Sequence, residues 1–366
     1  MEHLPNKEYF RKYRSNTLAS TSNNYMLIFE EEKIITGRIY YKVRKSGKFN
    51  YRFLFSDLVD STFADGRVSR ANLSGDGYEI LSAYAGACEN LDNQWNAEDC
   101  LTPVCFAGKT TKTAENGEVY WSDETVLDIP ENHYLVFEWT VRGTRMAYTP
   151  DKLIPAFVKD ADGQFVRSCE FPQPQLIGCD AESEKMLAFI GDSITMGCGT
   201  SVDKYRFWAA RIGEGLGDAY SVCNVGLGYG RGQDAATCGI WLEKAKQYEI
   251  VVVCLGVNDL LQGRSAEQLK ANLTTIVDAL NEAGCEVCLF TVPAFNWEGN
   301  LRAAWDDVNA YIQQTLVPRT KYWFDMASSS GDPANRYSAM DVRNAHPTDD
   351  GCAKIAEDFL KKYPAL

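Results

Sequence analysis

Apolar and polar positions follow two different rhythms along this chain. Up to about residue 170 the rhythm is that of strands and turns. "KIITGRIYYKV" (33–43), "KFNYRFLFS" (48–56), "GYEILSAYA" (77–85) and "YLVFEWTVRG" (134–143) are rich in β-branched and aromatic residues, with "RKSG", "SGDG" and "ENGE" as punctuation. No helix-period segment of useful length interrupts them. The pattern predicts an antiparallel β-sandwich or jelly roll over residues 1–172. "EFPQPQLIGCDAESEK" (170–185) breaks the rhythm with two prolines and a charge cluster, and a linker is expected at 173–185. From 186 to 366 short apolar runs alternate with helix-period segments. "MLAFIGD", "YSVCNVGL", "IVVVCLGVND", "EVCLFTV" and "KYWFD" read as strands. "KYRFWAARIGEGLG", "QDAATCGIWLEKAKQY", "SAEQLKANLTTIVDALNEAG", a stretch around 300–315 and a last one from about 349 read as helices. Buried strands alternating with helices predict an α/β domain, a parallel sheet covered on both faces.

The strand ends matter because ligands of open α/β sheets bind outside the carboxyl ends of the strands. The first ends at Gly191-Asp192-Ser193, the second in "NVGLGYGRG" (224–232), and the third at "LGVND" (255–259). The fourth ends in "TVPAFNW" (291–297), and the last leads into "NAHPTDDG" (344–351). A serine, a glycine-rich loop, an asparagine and a histidine therefore converge on one edge. Asp192 and Ser193 could serve only as a helix cap. Alternatively Ser193 is a nucleophile, which needs an adjacent base. Of the three histidines, His3 lies at the terminus, His133 lies among the strands, and only His346 belongs to the α/β part. A tetrahedral intermediate would need donors aimed at its oxyanion. The Ser193 N–H, a glycine of "GLGYGRG" and the Asn258 side chain are at hand. The glycine loop is not a dinucleotide fingerprint, because the third glycine of G-x-G-x-x-G falls on Arg231.

Residues 186–360 resemble the SGNH, or GDSL-type, hydrolase superfamily. "GDSIT" matches its first block, "NVGLGYGRG" its glycine block, "GVND" its asparagine block, and "HP" followed by "DDG" its histidine block. The resemblance implies a three-layer, flavodoxin-like α/β/α hydrolase domain that is a serine esterase without a cofactor. It implies Ser193 and His346 as nucleophile and base, with Ser193, Gly230 and Asn258 as the oxyanion hole and Gly228 in reserve. Two departures stand out. Arg343 occupies the position three before the histidine where the family places an aspartate. That leaves Asp341 to orient the ring, or a backbone carbonyl and a Ser-His dyad. In the glycine block, counting from Asn224 puts the donor glycine at Tyr229. A β-sandwich ahead of such a domain is similar in layout to family two carbohydrate esterases. That likeness implies an acetylated carbohydrate as substrate, with another small ester, lipid or thioester as the alternative. A carbohydrate-binding protein on a degenerate hydrolase fold is the alternative of another class.

Composition narrows the partners. Net charge is −13 and no basic block is interleaved with aromatics, which argues against nucleic acid. The start, "MEHLPNKEYFRKYRSN", has no apolar signal core, and "IVVVCLGV" is too short to cross a bilayer. A cytoplasmic protein without membrane contact is expected, with secretion left open. Most of the twelve cysteines sit in apolar text and read as buried free thiols. Trp297, on the proposed edge, either stacks on a sugar ring or packs its own loop. Tyr229 and Arg231 are expected to line the acyl or alcohol pocket. The absence of an amphipathic lid argues against long acyl chains, and the oligomeric state is not legible.

Overall fold

The computed structural model describes residues 4–61, 71–331 and 346–366. The strand-rich rhythm of the first part becomes two antiparallel sheets. One has the order Arg14–Ser15, Leu176–Cys179, Gly47–Ser56, Thr125–Ile129, with Val119–Trp121 also paired to Gly47–Ser56. The other runs Phe165–Arg167, Ala156–Lys159, Tyr25–Lys42, Tyr134–Tyr148, Tyr78–Cys88, Thr102–Pro103. Alternate residues of a strand share a face, and here the inward ones are aromatic. Phe53 meets Phe137 at 5.1 Å between ring centroids, and Phe55 stacks on Trp139 at 4.7 Å. All four rings are fully buried, and each buries on the order of 150–250 Å².

The stretch 173–185, expected as a linker, is more structured than that. Leu176–Cys179 is buried at every position and pairs with Gly47–Ser56. It therefore belongs to the first sheet. Its apolar residues "LIGC" gain more by covering that core than a tether gains by staying free.

In the second part, β1 (Lys185–Gly191), β2 (Tyr220–Asn224), β3 (Ile250–Cys254), β4 (Glu286–Phe290) and β5 (Tyr322–Phe324) form one parallel sheet in the order β2-β1-β3-β4-β5. The chain leaves β1 for one side and returns to β3 on the other, so a crevice opens beyond the carboxyl end of β1. Strand β3, "IVVVC", is buried throughout because helices cover both faces. These helices are α1 (Trp208–Leu216), α2 (Ala266–Glu282), α3 (Gly299–Tyr311) and α4 (Asp349–Lys362). Helix α2 starts with a reciprocal cap: Ser265 Oγ accepts from Gln268 N–H at 3.2 Å, and Gln268 Oε1 accepts from Ser265 N–H at 3.0 Å. Trp208 packs between Phe189 and Phe290, each 5.3 Å away, and Trp241 is also buried.

The segment expected as one helix over 233–248 is instead two short helices, Gly232–Ala235 and Ile240–Ala245. Between them Cys238 is left-handed at φ 54°. Asn72 Oδ1, from the strand-rich part, accepts the Ile240 N–H at 3.1 Å. That side chain fills the space beside Gly239 and caps the second helix where a continuous one would have run.

The two parts share a buried polar seam. Lys244 Nζ meets Asp60 Oδ2 at 2.8 Å, with both side chains at most 2% exposed, and also donates to Gln175 Oε1 at 3.0 Å. The twelve cysteines form no disulfide. Among the described residues no helix is long and apolar enough to cross a membrane.

Candidate active site

The end of β1 sets the first piece. Asp192 is the cap of the short helix Ser193–Met196, its Oδ1 accepting the Ile194 N–H at 2.9 Å. The cap reading is therefore correct for Asp192, while Ser193 is left with its hydroxyl pointing elsewhere. Asp192 is 1% exposed. Burial pushes its carboxyl up to about 7, eased by the Ile194 N–H and reinforced by the neighbouring Asp259.

Ser193 Oγ lies 2.7 Å from His346 Nε2, although the two are 153 residues apart in the chain. His346 comes just before α4, whose cap Thr348 accepts the Gly351 N–H at 3.2 Å. Behind the imidazole stands Gly199 at φ +97°, only 2.8 Å from His346 Cβ when a Cβ is built on it. The backbone thus passes where no side chain fits, and the Cβ of His346 is braced against it.

Ser193 and His346 open into a cavity of about 430 Å³. Met196, Gly228 and Tyr229 form its near side. The far wall is Pro150–Leu153, contributed by the strand-rich part. That wall is pinned by two 2.8 Å bonds: Asp151 Oδ1 accepts the Leu153 N–H, and Leu153 C=O accepts the Asp203 N–H.

The loop after β2 is held from several sides. Asn224 Oδ1 accepts the Gly226 N–H at 2.8 Å, and Asn224 Nδ2 donates to Thr195 C=O at 3.1 Å. Asn258 Nδ2 donates to Gly230 C=O at 3.1 Å, at the start of a short helix (Val257–Leu261) following β3. Asp259 accepts the N–H groups of Gly232 and Gln233 at 2.7 and 3.0 Å. Burial raises the Asp259 carboxyl, and these two donors oppose the shift. A serine hydroxyl bonded to an imidazole nitrogen, at the start of a short helix, is an arrangement that nucleophilic acyl transfer uses.

Residues 189–354 match the family of GDSL-like lipases and acylhydrolases. That segment is similar to the domain of that family. No curated protein matches the chain. Among solved structures, it is similar to a lipolytic G-D-S-L family protein of Veillonella parvula, at 18% identity and a TM-score of 0.43 over 50% of this chain and 99% of that one. It is similar to the esterase EstA of a Pseudoalteromonas species at 16% identity and a TM-score of 0.41, covering 49% and 98%. It is also similar to a mutant of Axe2, an acetyl-xylooligosaccharide esterase from a Geobacillus, at 19% identity and a TM-score of 0.41, covering 51% and 97%.

Within this GDSL-like segment the expected residues fare unequally. Ser193 and His346 are brought together, and Asn258 sits on the glycine loop. Gly230 is set back: its N–H donates to Leu227 C=O at 3.2 Å, and a Cβ there would lie 2.9 Å from Trp241. The cavity is lined by Gly228 and Tyr229 instead. Tyr229 is left-handed at φ 61° and 45% exposed, so a non-glycine residue holds the backbone shape that a glycine adopts freely. Arg231 is no pocket residue. It is 4% exposed and forks onto Asp234 at 2.8 and 3.0 Å, with Gln262 Oε1 at 3.1 Å. Trp297 is 5% exposed and donates its indole N–H to Pro293 C=O at 3.1 Å, which makes it a loop-packing residue. Asp341 lies outside the described residues. The far wall at Pro150–Leu153 and the brace at Gly199 were missed. The double glycine flanking Cys198 in "MGCGT" is the signal that pointed to the second.

Proposed function

We propose that the protein is a serine carboxylic ester hydrolase that removes small acyl groups, acetyl above all, from a carbohydrate. The contact between Ser193 Oγ and His346 Nε2 at 2.7 Å carries the reading. Ser193 Oγ attacks the ester carbonyl while His346 takes its proton. His346 then gives that proton to the leaving alcohol, and water, deprotonated in turn by His346, releases the acid. The oxyanion is received by the Ser193 N–H, an N–H of the Gly228–Tyr229 turn and Asn258 Nδ2. The second of these replaces Gly230, whose N–H is turned to Leu227.

A cavity of about 430 Å³ has room for an acyl group and one sugar ring. Leu153, Met196 and Pro150 offer it apolar surface. Tyr229, half-exposed at the mouth, gives an aromatic face for the sugar. We read residues 1–172 and 186–366 as two units, the first a β-sandwich, on the ring contacts between its sheets.

Ser193→Ala is expected to abolish p-nitrophenyl acetate turnover, with a loss of at least ~10³-fold. Turnover unchanged in that variant would end the reading. Acetate release from acetylated xylo- and manno-oligosaccharides, set against p-nitrophenyl esters of rising chain length, separates a carbohydrate esterase from a lipid esterase. For Asp341, the expected result is that Asp341→Asn costs far less than His346→Ala, as in a dyad. Equal losses would establish a triad.

A further inference from the structure

The loop after β2 is gripped from behind by a segment near the start of the chain. Thr21 N–H donates to Asn224 C=O at 3.2 Å, and Ser22 Oγ to Val225 C=O at 3.0 Å. Ser20 Oγ donates to Gly226 C=O, and Asn24 Nδ2 to Gly228 C=O. Residues 20–24 are at most 3% exposed. Asn24 is fully buried and its own N–H is tied to Tyr148 C=O at 2.9 Å. A side chain buried on a tied backbone has little room to swing away from its acceptor.

The consequence follows from peptide geometry. In a trans peptide the C=O of one residue and the N–H of the next point in opposite directions from one rigid plane. The carbonyl that Asn24 holds belongs to the Gly228–Tyr229 peptide. Gly228 and Tyr229 line the cavity into which Ser193 opens. With Asn24 on the carbonyl side, the Tyr229 N–H leaves from the other edge. We propose that Asn24 is a positioning residue for the oxyanion hole: its amide fixes the Gly228–Tyr229 peptide so that the Tyr229 N–H meets the oxygen of the tetrahedral intermediate. This rests on the ester-hydrolase reading of the site and adds to it that the strand-rich part shapes the transition state. The choice of residue type is chemical. A carboxylate at position 24 would repel the carbonyl. An alanine would leave it without that partner and let the plane rotate. The amide also polarises the peptide it binds, which strengthens the N–H on the far side.

Asn24→Ala and Asn24→Asp test this in the full chain. The expected result is a kcat for p-nitrophenyl acetate lowered about 10- to 100-fold with KM within threefold. A short alkyl boronic acid, which becomes tetrahedral when Ser193 Oγ bonds to boron, is expected to bind more weakly by the same factor. Ser22→Ala removes a bond of the same type from Val225 C=O, and is expected to lower the melting temperature with kcat within twofold. Should Asn24→Ala fold poorly, Asn24→Ser keeps a small donor and is expected to fall between wild type and Asn24→Asp. Asn24 variants that melt earlier yet keep kcat and boronate affinity within twofold overturn the proposal alone. A wild type that neither turns over esters nor takes a fluorophosphonate on Ser193 overturns the hydrolase reading and this proposal together.

Discussion

Gly199 offers the sharpest test of how the imidazole is held. The perturbation is Gly199→Ala, one methyl group. Two costs follow from its position. The backbone is at φ +97°, where an L-residue is strained by about 1–2 kcal/mol. The new Cβ would also stand 2.8 Å from His346 Cβ and 3.0 Å from Pro347 C=O. Carbon atoms in contact settle at about 3.5–4.0 Å, so the histidine must give way by roughly 0.7 Å. Such a shift takes the 2.7 Å bond between Nε2 and Ser193 Oγ to the edge of hydrogen-bonding range. A displacement near 1 Å at a reacting group costs about 10²-fold. The expected outcome is therefore a kcat/KM for p-nitrophenyl acetate lowered about 10- to 100-fold, with stability lower by only about 1–3 kcal/mol. Steady-state kinetics and the rate of fluorophosphonate labelling read the first effect, and thermal melts read the second. A folded Gly199→Ala enzyme within twofold of wild type would refute the bracing argument.

Two further outcomes concern stability. Burial pushes the Asp151 carboxyl up to about 7, above its unfolded value, so the native state binds the extra proton. Stability from this group is thus full at low pH and is lost as pH rises from about 4 to 7, amounting to no more than about 4 kcal/mol. Asp151→Asn, whose amide oxygen still accepts the Leu153 N–H, is expected to match wild type in melting temperature near pH 4 and to exceed it at pH 8. A gap independent of pH would contradict this. Lys244→Met leaves Asp60 buried without its cation and is expected to cost about 3–5 kcal/mol in chemical denaturation, of which Lys244→Met with Asp60→Leu recovers most. A single variant within 1 kcal/mol of wild type, on the order of a surface change, would show that the seam is wet.

What the sequence made legible was what local pattern encodes. Strand β3 reads as a strand because five apolar residues in a row suit a sheet covered on both faces. Ser193 and His346 could be paired because the α/β part contains a single imidazole. The misreadings share a cause, which is that the deciding contact comes from far along the chain. Four glycines in "NVGLGYGRG" permit several registers, and what excludes Gly230 from the cavity is the ring of Trp241 at its back. Arg231 reads as a substrate residue until Asp234 is seen to take its fork. The break at Cys238 depends on Asn72, 168 residues before Ile240. Leu176–Cys179 looked like a tether because its partner strand lies more than a hundred residues earlier.

The glycine loop shows why those distant contacts exist. Tyr229 sits in a left-handed conformation that a non-glycine residue adopts at a cost of order 1 kcal/mol or more. Left to local preference, the turn would relax. It is flanked by over-determination on both sides. Ser20 and Asn24 hold the carbonyls of Gly226 and Gly228 before it. Asp259 holds the N–H groups of Gly232 and Gln233 after it, and Arg231 is locked to Asp234. Each such bond contributes roughly 0.5–1.5 kcal/mol net, more where a carboxylate accepts. Together they outweigh the strain several times over, so the turn is set before any substrate arrives. A donor fixed in advance loses no energy to reorganisation when negative charge develops. That makes a strained tyrosine tolerable at a position where a glycine would have been the easier choice.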